Sequence, residues 1–488
     1  VNYEKRLPRS RPEEQGICSS AITGFLETAE QQGLELHSFM LVRHGHVAAE
    51  GWWSPYRPEH PRMLFSLTKI FTSTAVGLAL EEGRLTLEDK VCRFFPEYDR
   101  NRMDARKSAL SIRHLLTMSA GQSQPAMGAD FRRKKTSWVK HFLEMPLDYD
   151  PEERFVYNGG ASHMLAAIVQ KVTGQTLTEY MQPRFFGPLG IEEVRWETDP
   201  AGLQCGGFGL ILRTEDIAKI GQLYLQRGSW KGRQILSPHW VEQAVSLQIA
   251  TADRAGHADA QQGYGYQFWL SRHGAYRGDG AHGQLCVVMP EQDAVVAITG
   301  GENNMGSVLE LIWDHLLPGM LNEPAASEES GQALLSGKLA TLAYPPAAAF
   351  CGNGEQARLA DGKRYCFEAN PYGLQAVSFR FEEEASEVTF WDEQGMHRIV
   401  CGNGAFIEGE TTLSAKELHH QCRLPVMKVA ASGTWQDESA FIITLRYLET
   451  PFCDTLVCSF EGKQLRLAHQ VNVNNGPLER ELLQGRSE

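Results

Sequence analysis

The chain has 488 residues, 42% apolar and 22% charged, with a formal net charge of −13. That length suits two or three domains with at least one large core, and the composition is that of a globular protein. The negative charge, spread without a long acidic run, disfavours nucleic-acid or anionic-membrane binding, which calls for a basic patch, and no apolar run is long enough to span a bilayer.

The first residues, Val1-Asn2-Tyr3-Glu4-Lys5-Arg6, lack the apolar core of a signal peptide, so the expected compartment is the cytoplasm. The cysteines show no C-x-x-C pair and no finger spacing, and are expected as buried free thiols with no metal site. Ala21, Ile22, Phe25, Leu26 and Ala29 recur at helical spacing behind Ser19 or Ser20 as a cap. A hairpin follows, His37 to Arg43 and Val47 to Trp52, joined by His44-Gly45-His46, whose histidines read as turn residues for want of a third ligand. The apolar run from Phe65 to Leu80 predicts a helix ended at Gly83.

Residues 86–200 read as mainly helical, with a short helix at Ser111 to Gly121 and a buried one from Ala161 to Val172 ended by Gly174. Residues 206–250 read as helical again. Strands are predicted at Tyr264 to Leu270, Leu285 to Pro290 and Ala294 to Thr299, a glycine-rich turn from Gly274 to Gly283, and a helix at Ser307 to Leu317. The arrangement predicts an α/β (α+β) domain over 1–320: a sheet built from both ends of the unit, flanked by helices and carrying a helical insertion. Small polar residues from 321, then a short helix with Leu334, Leu335, Leu339 and Leu342, predict a linker over 321–344. Alternating runs such as Ala376 to Phe381 and Phe441 to Tyr447 predict an antiparallel β barrel or sandwich over 345–488.

The chemistry centres on Phe65-Ser66-Leu67-Thr68-Lys69. Three residues apart on a helix, the Lys69 amine can meet the Ser66 hydroxyl, and a lysine becomes a base when burial favours its neutral form. To be half neutral at pH 7, Lys69 must fall by roughly 3 units from about 10.4. The spacing alone is weak, since Ser137-Trp138-Val139-Lys140 also fits; its basic setting, Arg132-Arg133-Lys134-Lys135, reads as a solvated helix face. Tyr157, in the loop Tyr157-Asn158-Gly159-Gly160, is placed to relay a proton to a leaving group. The Ser66 N–H and an N–H from the glycine-rich segment Gly278-Asp279-Gly280-Ala281-His282-Gly283-Gln284 are candidates for an oxyanion hole.

These motifs resemble the β-lactamase-related serine hydrolases: Ser66-Leu67-Thr68-Lys69, His114 to Gly121, Phe155-Val156-Tyr157-Asn158, Pro188-Leu189-Gly190-Ile191 and the strand ending Val288-Met289-Pro290-Glu291. That superfamily spans class C β-lactamases, D-alanyl-D-alanine carboxypeptidases, D-aminopeptidases, family VIII esterases and 6-aminohexanoate-dimer hydrolases. The resemblance covers residues 10–320 and implies Ser66 as nucleophile, Lys69 as its base and Tyr157 as acid/base, without a cofactor. Two departures stand out. Gly159 occupies the place of the family's usual Asn, leaving that substrate contact to Asn158 or to no side chain, and the Lys-Thr-Gly motif is absent, with Arg277 or His282 as candidates for its cation. Substrate contacts are thus expected from Asn158, Arg277, Gly278, His282, Gly283 and Gln284.

The expected function is hydrolysis of a small-molecule ester or amide, with esterase or amidase favoured over β-lactamase or D-amino-acid peptidase because Lys-Thr-Gly is missing. A binding protein that kept the fold and lost turnover is the competing class, and intact Ser66, Lys69 and Tyr157 argue against it. If neither Arg277 nor His282 points into the cleft, neutral esters are expected as the better substrates. Neither a nucleic-acid nor a membrane partner is expected, and the sequence leaves the oligomeric state open.

Overall fold

A computed structural model describes residues 5–98, 104–127, 134–321, 329–348, 354–413 and 424–488. Arg132, Arg133, Cys351, Cys422 and positions 322–328 of the expected linker lie outside them. The chain sorts into two compact units. One takes the residues through Gly51 with Met63–Gly300 and Asn304–Ala340; the other takes Trp52–Arg62, Gly301–Asn303 and Thr341–Glu488.

The first unit is built on a six-stranded sheet. Its strands are β1 (Leu36–Arg43), β2 (His46–Trp52), β3 (Trp269–Leu270), β4 (Tyr276–Gly280), β5 (Gln284–Met289) and β6 (Ala294–Gly300), in the order β2-β1-β6-β5-β4-β3. Both chain ends of the unit contribute, since β1 pairs antiparallel with β6, Phe39 opposite Ile298. All residues of β1, β5 and β6 are buried, because helices cover both faces. The β1–β2 hairpin turns at His44 and Gly45, with φ of 49° and 76°. Two left-handed residues in a row are what a two-residue hairpin turn needs.

Helix α1 (Ser19–Gln31) packs on one face, with the Phe25 and Phe39 ring centroids 5.1 Å apart. Its N-terminus is held by Glu13 and not by Ser19 or Ser20 as caps: the Glu13 carboxylate accepts from the Ser19 N–H at 3.3 Å and from the Ser19 hydroxyl at 2.5 Å. An anion at a helix N-terminus satisfies open amides and opposes the dipole. The further helices of this unit include α2 (Thr68–Glu81), α3 (Gly159–Thr173) and α4 (Thr214–Leu225). The segment 206–250 is not helical throughout; strand Leu210–Leu212 precedes α4, and a small hairpin, Ser229–Trp230 with Arg233–Gln234, follows it. Helix α5 (Met305–Leu311) continues as a wider turn, Ile312–Leu316, and helix α6 (Glu329–Ala340) lies against α1, with an ion pair from Lys338 to Glu30.

The second unit is the antiparallel β domain. Ten strands run from Arg364–Phe367 to Leu483–Ser487. Nine close into a barrel, sealed where Gly402 pairs parallel with Ser432, and the tenth, Ile407–Thr411, lines the Met427–Trp435 strand. Residues 52–62 are stitched into it. Arg62 is buried, donates to the carbonyls of Leu448 and Thr450, and lies 4.6 Å over the Tyr56 ring, which packs on Ala430 and Leu448.

Candidate active site

The turn that carries Ser66 is packed against β4. Leu64 is tied to the strand Leu210–Leu212 by its N–H to the Leu210 carbonyl at 2.8 Å, and a 3-10 turn, Phe65–Leu67, then leads into α2. Phe65 sits at φ 48°, a left-handed conformation that costs a non-glycine residue about 1–2 kcal/mol. Such strain persists only where surrounding structure imposes it. The imposing element is β4: a Cβ on Gly280 would lie 2.1 Å from the Leu64 carbonyl oxygen, and one on Gly278 would lie 2.6 Å from Leu67. The segment expected as a glycine-rich turn is therefore a strand whose glycines let backbone lie directly on the Ser66 turn.

Within it the Lys69 amine donates to the Ser66 hydroxyl at 2.9 Å and to the Gly207 carbonyl at 2.8 Å. Gly207 reaches that position because its Cα packs against the backbone of Gly159, where a side chain would clash at 2.8 Å. Lys69 is 3% exposed, and burial pulls its pKa down to about 7, with the Asp279 carboxylate opposing the fall. Tyr157 precedes the first turn of α3. Its hydroxyl is hydrogen-bonded to Ser66, and its ring centroid is 4.7 Å from the Lys69 amine. Burial, reinforced by Asp279, pushes the Tyr157 hydroxyl well above the usual phenol range, against the hydrogen bond to Ser66 and the charges of Arg254 and Arg277. Near pH 7 the tyrosine thus keeps its proton while the lysine is free to lose one.

The other expected contacts divide. Asn158 is buried and caps α3, its side-chain oxygen accepting from the Gly160 N–H at 2.9 Å and the Ala126 N–H at 3.0 Å, while its amide donates to Gln122. Arg277 is enclosed, donating to Asp279 at 3.1 Å, the Ser271 hydroxyl at 2.7 Å and the Asp259 carbonyl at 3.0 Å. Gln284 donates to the carbonyls of His282 at 2.8 Å and Gly300 at 3.0 Å. The Asn158 side chain, Arg277 Nε and Nη1 and the Gln284 amide nitrogen are thus committed to the protein itself, while the buried Gln284 side-chain oxygen has no hydrogen-bond partner among the described residues. His282 and Gly283, with φ of 64° and 87°, make the β4–β5 turn, and the His282 ring meets Phe65 edge-on at 5.5 Å. Gly278 lines the back of the Ser66 turn. Ser137 caps the helix Trp138–Glu144, and Lys140 pairs with Glu144 at 3.7 Å, so the second Ser-x-x-Lys match is a surface helix start.

The sequence offers Tyr264, Tyr266, Phe268, Trp269 and Tyr276 as an aromatic cluster near the cleft, and two of them flank Tyr157; a third neighbour, Arg254, was not singled out. Trp269 stacks on its ring at 5.4 Å and Tyr264 meets it edge-on at 6.4 Å, whereas Tyr266, Phe268 and Tyr276 of the same aromatic cluster turn to Trp240 and Tyr224 or to each other. Arg254 faces the same platform. Its guanidinium carbon lies 5.0 Å from the Trp269 centroid, 5.7 Å from Tyr157 and 5.9 Å from Phe155. A lone arginine in a polar loop carries no sequence signal; only the fold brings it here.

The beta-lactamase family profile matches residues 22–307, more than half of the chain. This protein belongs to the beta-lactamase family. A 6-aminohexanoate-dimer hydrolase of Paenarthrobacter ureafaciens is 23% identical over 60% of this chain and 79% of its own. A lovastatin esterase of Penicillium rubens is 29% identical over 27% of this chain and 38% of its own. Among solved structures, the octameric penicillin-binding protein homologue from Pyrococcus abyssi, 16% identical, aligns over 96% of this chain and 99% of its own with a TM-score of 0.50, so the fold likeness extends into the barrel. Among the described residues no helix is long and apolar enough to cross a membrane, and no cluster of His, Cys, Asp and Glu is arranged to hold a metal ion.

Proposed function

We propose that this chain hydrolyses an ester or amide through an acyl-enzyme on Ser66, as a carboxylesterase or amidase. The observation that carries the reading is the 2.9 Å bond from a buried Lys69, with a pKa of about 7, to the Ser66 hydroxyl. Neutral Lys69 takes the Ser66 proton as the oxygen attacks the carbonyl. Tyr157, protonated at working pH and bonded to Ser66, delivers a proton to the departing alcohol or amine. The Ser66 N–H and a backbone N–H beyond Gly280, which the glycines hold close to the Ser66 turn, stabilise the oxyanion. Water then cleaves the ester on Ser66 by the reverse proton route.

The names of the relatives support both bond types, an amide in the 6-aminohexanoate dimer and an ester in lovastatin. The free thiols among the described cysteines suit a reducing, cytoplasmic setting. The test is the pH profile of kcat/KM on an activated ester. The rate should rise through about pH 7 as Lys69 becomes neutral and stay level to about pH 10, since Tyr157 titrates above the phenol range. A flat profile from pH 5 to 9, with chemistry rate-limiting, would remove Lys69 as the base.

A further inference from the structure

The barrel of the second unit is packed solid at one end and open at the other. Aromatic rings fill the first end, with centroids 5.1 Å apart for Phe381 and Phe441, 5.3 Å for Phe379 and Phe460, and 5.4 Å for Trp435 and Phe441. The second end holds a pocket of about 560 Å³ whose lining belongs to this unit alone, a volume in the range of small-molecule sites. Its wall is mostly apolar, from Leu374, Phe390, Leu456, Leu467 and Leu483, and Arg480 and Glu481 stand at its exposed rim. Two buried carboxylates interrupt the wall, Asp392 at 8% and Asp454 at 2% exposure. Their strands, Ala385–Asp392 and Cys453–Glu461, are four strand steps apart one way round the barrel and five the other, so the carboxylates face each other across the bore. Asp392 Oδ1 accepts from the Gln394 N–H at 2.7 Å and meets His397 Nε2 at 2.9 Å, and among the described residues Oδ2 has no hydrogen-bond partner. His397 Nδ1 meets the Thr412 hydroxyl at 2.7 Å, so a neutral ring satisfies both of its contacts and the pair keeps the carboxylate's charge. Asp454 accepts from the Tyr447 hydroxyl at 3.1 Å and lies 3.2 Å from His469 Nε2. Around the pocket Asp392, Asp454 and Glu481 outnumber the one guanidinium, Arg480, which is seated over the Tyr372 ring at 4.5 Å.

We propose that this barrel pocket is a binding site for an organic cation, an alkyl- or arylammonium whose apolar body lies against the leucines and whose charged head sits between Asp392 and Asp454. The proposal does not depend on the hydrolase reading. Two like charges facing each other through a space walled by leucine repel, and an ammonium between them replaces that repulsion with two attractions. Its N–H groups also give Asp392 Oδ2 the donor that the protein does not supply. Phe390 and Tyr447 border the same space, and aromatic surface favours a cation over an anion. An anion finds Arg480 at the rim but is repelled by both aspartates. A charge-assisted contact of this kind changes affinity by about ten- to a hundredfold.

Calorimetric titration of the full chain compares 4-phenylbutylamine, a cation at neutral pH, with 4-phenylbutanamide and 4-phenylbutanoate, which carry the same phenylalkyl body with a neutral or an anionic head. The amine should bind about ten- to a hundredfold more tightly than the amide, and the carboxylate more weakly than either. Asp392→Asn keeps the side chain's shape and its contact with His397, and should remove most of the amine's advantage over the amide; Asp454→Asn should do the same. Hydrogen exchange on wild type places the site without any variant, since the amine should slow exchange in Ala385–Asp392 and Cys453–Glu461. No saturation by millimolar amine, no preference for amine over amide, or tighter binding of the carboxylate would overturn the proposal. So would a preference unchanged in either variant, or slowed exchange confined to the segments around Ser66, which would place the amine in the other unit.

Discussion

In the proposed mechanism, Lys69 is where catalysis and stability oppose each other. A buried ammonium is unfavourable, and the cost comes from the same environment that lowers the pKa of the amine. Lys69→Arg should lose nearly all activity, because a guanidinium stays protonated and cannot accept the Ser66 proton. Ser66→Ala should lose on the order of 10⁶ in kcat, the loss expected when the nucleophile of a coupled site is removed. The stability prediction has a definite sign. The folded state holds the Lys69 proton less tightly than the unfolded state, whose pKa is near 10.5, so the penalty is full below about pH 7 and fades as pH rises toward 10.5. Urea unfolding of wild type and Lys69→Met at pH 6.5 and 9.5 checks it: wild type should gain on the variant, by at most about 4 kcal/mol. An unchanged difference would mean that Lys69 is not buried as a neutral amine.

At the scale of elements, β4 and the Phe65–Leu67 turn act as one device, in which the end of a strand bared by Gly278 and Gly280 on one face holds a strained turn from behind. Gly280→Ala would drive a methyl into the Leu64 carbonyl, backbone that cannot swing away, whereas Gly278→Ala meets the movable ends of Leu67 and Ile70. Gly280→Ala should therefore lower kcat by tenfold or more, and Gly278→Ala chiefly stability, by about 1–3 kcal/mol. Steady-state kinetics beside thermal melts of the two variants distinguish them; equal kcat values would contradict the role given to Gly280. Helices α2 and α3 and strands β5 and β6 were legible in sequence because apolar periodicity is local. Strand β4 was not: Arg277-Gly278-Asp279-Gly280 has the composition of a turn, and only its packing against another element makes it a strand. Asn158 and Gln284 were legible as polar residues near the motifs, but their commitment to capping and to backbone carbonyls depends on tertiary neighbours. Arg254 lies far from every motif.

For the whole molecule, the contacts of the first unit run on past residue 320 to Ala340. Helix α6 packs with the first unit through buried Leu335, the Lys338–Glu30 pair and a 2.9 Å bond from Gln332 to Glu13, the carboxylate at the start of α1. A chain ending at Ala340 should be more stable than one ending at Met320 by about 2 kcal/mol or more, from one buried leucine and one hydrogen bond to a carboxylate. Melting of the two truncations side by side checks this, and equal midpoints would contradict it. Residues 52–62 lie early in sequence but have their partners after 341, and hydropathy carries no trace of that exchange. The account stands on one covalent event. Treatment with a fluorophosphonate, followed by trypsin and mass spectrometry, should place the label on the peptide from Met63 to Lys69, faster at pH 8 than at pH 6, and Ser66→Ala should take no label. A label on the peptide carrying Ser137, or none in a protein that hydrolyses esters, would contradict the assignment of Ser66 as the nucleophile.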